Sequence, residues 1–504
     1  MFPEMSGSRS LLSTPLAALL VAAATVGWSP APQVSRGSPR AVADTASIDL
    51  RLCDLPGTER GARCGTLTVP EDRSEPDGRE IGLRVVVVPA REPTAEPDPV
   101  FFLVGGPGQA ATAQAARRAR GPLGASRDLV FVDQRGTGGS NPLRCDHGGP
   151  AGAARAYLTG SVPPGFLSEC LESLEADPRH YTTGAAVEDL EEVRAALGYE
   201  RINLVGASYG TRVALVYARR HPGHLRSMIL RGVAPLSYRF PLPFARGGQH
   251  ALDSLAVACR SDGACRERFG DPRRLLERVT DSLSEHPRAV TVSAPRLPDT
   301  ARITLDGRTL RGTVLLSLYS VRGGARLLPL VGAADAGEYR PLATWGASLA
   351  GRFAEQIHLG MFLSVICSED APRIGDGEIS TTARGTYLGG GWIRSILAGC
   401  AVWPEADVDE AFFDPVRADV PALLISGAAD PVTRPRWADG VAERLPRARH
   451  VVVPAAGHLP TFPGCTDELA LRFLEAGSAR GLDTGCVRSG EWPSVAKMPG
   501  GGSR

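Results

Sequence analysis

Ser208 sits in the pentapeptide Gly206-Ala207-Ser208-Tyr209-Gly210, a serine with glycines two residues to either side. This spacing has chemical meaning where a buried strand runs straight into a helix, because the tight turn exposes the hydroxyl and residues without bulky Cβ substituents let strand and helix close up. The flanks fit that setting. Ile202 to Val205 reads as a short buried strand, and Thr211 to Arg220 carries helical apolar spacing at Val213, Ala214, Val216 and Tyr217. With 58 glycines in 504 residues the pentapeptide alone is weak evidence, so partners are required.

A serine hydroxyl at neutral pH becomes a nucleophile when a histidine within hydrogen-bond reach takes its proton and a carboxylate orients that histidine. Asp430 follows a strand at Ala422 to Ser426 in "SGAADPVTRP", and His458 follows one at Val451 to Val453 in "PAAGHLP". Loops at the carboxyl ends of parallel strands share one edge of a sheet, so Ser208, Asp430 and His458 are expected to converge there as a catalytic triad. An aspartate before a proline is ordinarily a turn former, and a lone histidine after a strand is ordinarily structural. What singles these residues out is their joint occurrence in the order Ser, Asp, His, which is that of α/β-hydrolases. Acyl transfer also needs backbone donors for the developing oxyanion. The N–H of Tyr209 is one candidate; the loop Gly105-Gly106-Pro107-Gly108 supplies the other, with Gly106 favoured over Gly105.

The elements that must position these residues alternate. Strands are expected at "IGLRVVVVPA" from Ile81, "PVFFLVGG" from Pro99, "RDLVFVD" from Arg127 and "LRSMIL" from Leu225, with a helix whose apolar positions are Val187, Leu190, Val193 and Leu197. Such alternation implies a mostly parallel, doubly wound sheet covered by helices on both faces, and with the order Ser, Asp, His the α/β-hydrolase fold is expected. From Pro235 to about Asp414 the rhythm turns mainly helical, which reads as a cap inserted between the sixth and seventh core strands. The expected organisation is a signal peptide and leader over 1–43, core over 44–234, cap over 235–414, core again over 415–488 ending in a helix, and a glycine-rich disordered tail over 489–504.

Composition is that of a globular protein, 43% hydrophobic and 22% charged. A formal net charge of +1 and the lack of any basic stripe give no footprint for nucleic acid or an anionic membrane surface. Arg9 precedes an apolar run from about Leu11 to Val26 and a proline-rich stretch, which reads as an export signal, a retained membrane anchor being the alternative. No other segment is long and apolar enough to cross a bilayer. Ten cysteines suit an oxidising compartment, secreted or at the cell envelope. They fall in sequence-local couples, Cys53 with Cys64, Cys145 with Cys170, Cys259 with Cys265, Cys367 with Cys400 and Cys465 with Cys486, for which neighbour pairing is expected. Zinc is the rival use, but no C-x-x-C pair or histidine at ligand spacing accompanies them; no metal is expected.

With these residues in view, the chain resembles the proline iminopeptidase and tripeptidyl aminopeptidase group of α/β-hydrolases, secreted actinobacterial-type serine aminopeptidases. The likeness runs through "GGPG", "DQRGTGGS", "GASYGTRVALVYARRHP", "SGAADPVTRP" and "GHLP". Val104 stands before "GGPG" where iminopeptidases carry histidine, a departure that favours the tripeptidyl branch. The resemblance implies removal of residues from peptide N-termini through an acyl-enzyme, without metal or organic cofactor. It also implies carboxylates that receive a free α-amine; in "VICSEDAP" those are Glu369 and Asp370. Gln134 and Arg135 are expected to brace the loop beside the site. An esterase acting on small acyl esters, using the same apparatus, is the nearest alternative, and a non-catalytic secreted binding protein on the same scaffold is the alternative of another class.

Overall fold

Residues 48–489, apart from 57, 59–60, 146–148, 294–299 and 461–463, and residues 492–494 are described by a computed structural model. The expected signal segment lies outside the described residues. The period-2 run Leu67-Thr68-Val69 and the valine-rich run after Ile81 form long strands, as β-branched residues on a half-buried pleated surface should. In chain order the strands of the main sheet are β1 (Arg51–Cys53), β2 (Ala62–Pro70), β3 (Glu80–Val88), β4 (Val100–Leu103), β5 (Leu129–Val132), β6 (Ile202–Ala207) and β7 (Leu225–Arg231). A hairpin of β8 (Arg288–Val292) and β9 (Ala301–Leu305) stands apart, and β10 (Ala422–Gly427) and β11 (Ala448–Val453) complete the sheet.

The spatial order is β1-β2-β3-β5-β4-β6-β7-β10-β11. From β5 to β11 every neighbouring pair is parallel, while β1, β2 and β3 join antiparallel at one edge. Alternate residues face opposite core layers: Phe101, Leu204 and Leu424 pack on the side of helices Thr183–Ala196 and Tyr209–Arg220, whereas Phe102, Val205 and Ile425 pack with Phe473 of helix Thr466–Ala476. Burial on both faces is why these strands are continuously apolar.

The insertion differs from expectation in three respects. It follows the seventh strand of the sheet and precedes the eighth, one later than expected; β1 and β2 were not among the strands read from the sequence, and the alternation of Leu67 and Val69 with Thr66 and Thr68 was the signal for β2. It contains the β8–β9 hairpin as well as helices. Helix Gly149–Thr159, well before Pro235, also belongs to its packing, since Ala154 and Leu158 join the cluster of Leu255, Val279 and Leu327. A Cβ on Gly312 would stand 1.8 Å from the Leu158 carbonyl oxygen, so the two backbones touch there.

All ten cysteines are joined in the five neighbour pairs. Of the span 489–504 expected as a tail, residues 490–491 and 495–504 lie outside the described residues, and the others are placed. Ser489 closes a helical turn from Gly485, Trp492 packs on the cap cluster, and the Ser494 hydroxyl donates to Asp262 at 3.1 Å.

Candidate active site

Strand β6 ends at Ala207 and helix Tyr209–Arg220 starts two residues later, leaving Ser208 alone in the turn at φ 54° and ψ −122°. A non-glycine residue held there stores roughly 1–3 kcal/mol, which the surroundings must fix in place. Its N–H donates to the Arg231 carbonyl at the end of β7 (2.9 Å), and its carbonyl accepts from the Thr211 N–H and hydroxyl at 2.9 and 2.6 Å. The flanking glycines are set by distance. A Cβ on Gly206 would meet the Gly210 carbonyl oxygen at 2.8 Å, and one on Gly210 would meet that of Leu103 at 2.3 Å.

His458 follows β11, and its Nδ1 lies 2.8 Å from Asp430 Oδ2 in the loop after β10. Asp430 is fully buried, and its other acceptor positions are taken by the N–H groups of Val432 and Thr433 and the Thr433 hydroxyl at 2.7 to 2.8 Å. Burial opposes its ionisation, but the His458 imidazole and these donors prevail and hold the carboxyl below its usual range. A carboxylate can only accept, so Nδ1 carries the proton and Nε2 keeps a lone pair. The His458 N–H donates to the Tyr319 carbonyl at 2.9 Å, and the Tyr319 ring meets the imidazole edge-on at 5.4 Å between centroids.

The same turn after β7 adjoins both groups. Arg231 holds Ser208, and the next residue, Gly232, lies against the imidazole, where a Cβ would stand 3.0 Å from His458 Cε1. Ser208 and His458 face one cavity of about 290 Å³. Gly105 and Gly106 also line it. The Gly105 N–H is spent on Gln109 Oε1 at 3.2 Å, while no acceptor for the Gly106 N–H occurs among the described residues. The Tyr209 N–H, first in its helix, has no side-chain cap.

The expected carboxylate pair requires correction. Helix Leu359–Val365 passes into a π-helical turn, Ile366–Asp370, that points Glu369 and Asp370 inward to the buried Arg212. Glu369 accepts from the Thr183 N–H at 2.7 Å, the Thr183 hydroxyl at 2.8 Å and Arg212 at 3.1 Å; it lies on neither space beside Ser208. Its oxygens are occupied within the protein. Asp370 pairs with Arg212 at 2.9 Å and Arg373 at 3.2 Å, yet borders a chamber of about 50 Å³ next to Ser208. Burial pushes both carboxyls up, against the pull of Arg212.

Gln134 and Arg135 do brace the loop. Gln134 donates to the Tyr209 hydroxyl at 3.0 Å, and fully buried Arg135 makes a two-pronged contact with Asp189 at 2.7 Å. Three contributors escaped the sequence reading: Thr433, Gly232 and Tyr319. Only Thr433 left a signal, a hydroxyl three residues after an aspartate, the spacing of a side-chain-capped turn. Among the described residues, Glu191, His221 and His224 cluster closely enough to hold a metal ion. Glu191 is already taken by Arg194 at 2.6 and 2.9 Å and the Tyr217 hydroxyl at 2.7 Å, an arrangement that fits an ion pair better than a metal.

Comparison with known families places this geometry. Residues 98–254 match the alpha/beta hydrolase fold, and residues 386–486 match the family described as TAP-like protein. The chain has the α/β-hydrolase fold. It is 26% identical over 475 residues to the serine protease Hip1 of Mycobacterium tuberculosis, an alignment covering 84% of this chain and 86% of that one. Over 211 residues it is 30% identical to the tripeptidyl aminopeptidase of Streptomyces coelicolor, covering 37% of this chain and 38% of the relative. Over 145 residues it is 30% identical to the proline iminopeptidase of Neisseria gonorrhoeae, covering 28% and 35%. With this fold the chain is a serine hydrolase, and the three relatives named above are peptidases.

Proposed function

We propose that the hydrolase is an exported serine peptidase that cleaves short peptides near their N-termini through an acyl-enzyme on Ser208. The observation that carries the reading is the buried Asp430 bound to His458 Nδ1 at 2.8 Å, with the imidazole facing the same cavity as a serine on a strained strand-to-helix turn. His458 Nε2 takes the Ser208 proton as Oγ attacks the carbonyl carbon and later returns a proton to the leaving amine, while Asp430 holds the tautomer. The N–H groups of Tyr209 and Gly106 stabilise the oxyanion, each worth about 2.7–4 kcal/mol.

The cavity defines the substrate further. Its walls are apolar and aromatic, among them Phe240, Phe244, Leu316, Phe353 and Trp392, and no Asp or Glu among the described residues lines it. Apolar side chains on the acyl side of the scissile bond fit it, whereas a buried ammonium without a partner costs several kcal/mol. A free α-amine therefore depends on Asp370, the one acid among the described residues on either space beside Ser208. The names of the relatives support peptide substrates, and the five disulfides support export.

The uncharged cavity also favours a second reading, an esterase of apolar acyl groups. A tripeptide anilide, its N-acetylated copy and a short-chain nitrophenyl ester separate the two. Turnover of the free-amine anilide well above its acetylated copy is expected; turnover of the ester alone establishes the esterase. Ser208→Ala should abolish hydrolysis with the fold intact. Undiminished turnover by that variant, or failure of a fluorophosphonate to label Ser208 in the unaltered protein, refutes the mechanism and revives a binding role.

A further inference from the structure

The oxyanion loop is not self-supporting: its far end is held by a cap residue, His358, through both ring nitrogens. The Gly108 carbonyl accepts from His358 Nδ1 at 2.9 Å and from the His358 backbone N–H at 2.9 Å. On the other side of the ring, the Gly138 N–H donates to Nε2 at 3.2 Å. Gly138 belongs to the loop after β5, so one imidazole bridges the Gly105–Gly108 loop, the 133–140 loop and the cap.

The contact is close along the whole segment. A Cβ on Gly108 would lie 2.8 Å from the His358 carbonyl oxygen, and one on Gly106 would lie 3.2 Å from Ile357 Cδ1. Gly360 continues the seam with its N–H donating to the Leu143 carbonyl at 3.1 Å. Gln109 adds a parallel strut: it accepts from the Gly105 N–H at 3.2 Å and donates to Gln356 Oε1 at 3.2 Å. The stretch 356–360 thus carries the loop from the cap side.

We infer that His358 is a positioning residue for catalysis, holding the Gly106 N–H at the oxyanion through its bonds to Gly108 and Gly138. The inference rests on the oxyanion role proposed above for Gly106. The bonding pattern demands one state of the ring. A carbonyl can only accept and a backbone N–H can only donate, so Nδ1 must carry the hydrogen and Nε2 must carry none. A second proton would set two N–H groups against each other at 3.2 Å. Burial holds this imidazole below its ordinary value, opposed by the Gly108 carbonyl; the charged groups facing it are Arg144, which lowers it further, and Asp133, which raises it. The Gly105–Gln109 loop and helix Leu359–Val365 bring no ionisable side chain. The strut is accordingly intact at neutral pH and lost as pH falls.

The test compares His358→Leu, which removes both ring bonds, with His358→Asn, whose amide can still donate to Gly108 and does not titrate. A loop displaced by up to 1 Å costs about 10²-fold in rate, so kcat for a nitrophenyl ester should fall about 10- to 100-fold in His358→Leu with KM changed less than about twofold. His358→Asn should recover most of that loss. In the unaltered enzyme the acid limb of log kcat should be steeper than in His358→Asn, since protonation of His358 breaks the strut in the one and the amide does not titrate in the other. Fluorophosphonate labelling counts the folded active sites in each preparation. A kcat per labelled site within twofold of the unaltered enzyme in His358→Leu, or a loss in KM alone, overturns the inference. If His358→Leu does not fold, the acid slope of His358→Asn decides, and an unchanged slope overturns it. Either result leaves the function standing as long as Ser208→Ala remains inactive, whereas hydrolysis by Ser208→Ala removes the function itself.

Discussion

Gly232 is a residue whose side chain would fall on His458, the proposed catalytic base, and Gly232→Ala makes the geometry quantitative. Two effects follow from the single methyl group. The backbone at φ 63° suits glycine, and an L-residue in that left-handed region costs about 1–2 kcal/mol of stability. The methyl carbon would also stand 3.0 Å from His458 Cε1, 3.2 Å from Nδ1 and 3.1 Å from the Thr433 hydroxyl. Ordinary carbon contacts lie at about 3.5–4.0 Å, so the ring must retreat by about 0.5–1 Å. It cannot do so freely: Asp430 holds Nδ1 at 2.8 Å and Tyr319 flanks the ring. Misplacement on this scale costs up to about 10²-fold, and a 10- to 100-fold fall in kcat is about 1.4–2.7 kcal/mol of transition-state stabilisation. Because Gly232 lines neither space beside Ser208, KM should stay within about twofold. Steady-state turnover of a nitrophenyl ester, normalised to labelled sites, measures the first effect, and thermal unfolding measures the second. A variant that loses the expected stability but keeps kcat within twofold would show that the imidazole has room to move, and the reasoning from this contact would fail.

Two further outcomes follow from the buried charges. Arg212→Met should destabilise the protein by about 3–5 kcal/mol, because Glu369 and Asp370 would be left in the interior without their principal counter-charge; chemical denaturation measures this, and a loss below 1 kcal/mol would mean that Arg373 and Thr183 suffice. Asp430 titrates below its ordinary value in the folded state, so its contribution to stability is present above the unfolded carboxylate value and is lost as pH falls through the folded one. Asp430→Asn should therefore lessen the drop in melting temperature on acidification, and an acid limb as steep as in the unaltered protein contradicts the assignment.

Local pattern carried the reading of Ser208, Asp430 and His458 a long way. Each follows a strand whose apolar run is visible in a short window, and parallel topology then brings strand ends together wherever they occur in the chain. The five disulfide couples were legible because each closes a short loop. The same reasoning could not separate Glu369 from Asp370: Glu369 is turned to Arg212 and Thr183, while Asp370 also borders the chamber beside Ser208. Their acidity was plain, but whether an acid meets substrate or an arginine depends on which face of a helix a single π-helical turn presents.

Residue types and their order in the chain thus determined the chemistry available to this protein, since a strained serine, a histidine and an aspartate at strand ends are properties of short segments. Tertiary packing alone decided what surrounds them: Gly232 leaves space for the imidazole, Tyr319 confines it, His358 reaches across from the cap, and Arg212 claims the acids. Those contacts join residues dozens to hundreds of positions apart, at distances set by how a cap settles on a sheet, and no periodicity within one segment encodes them.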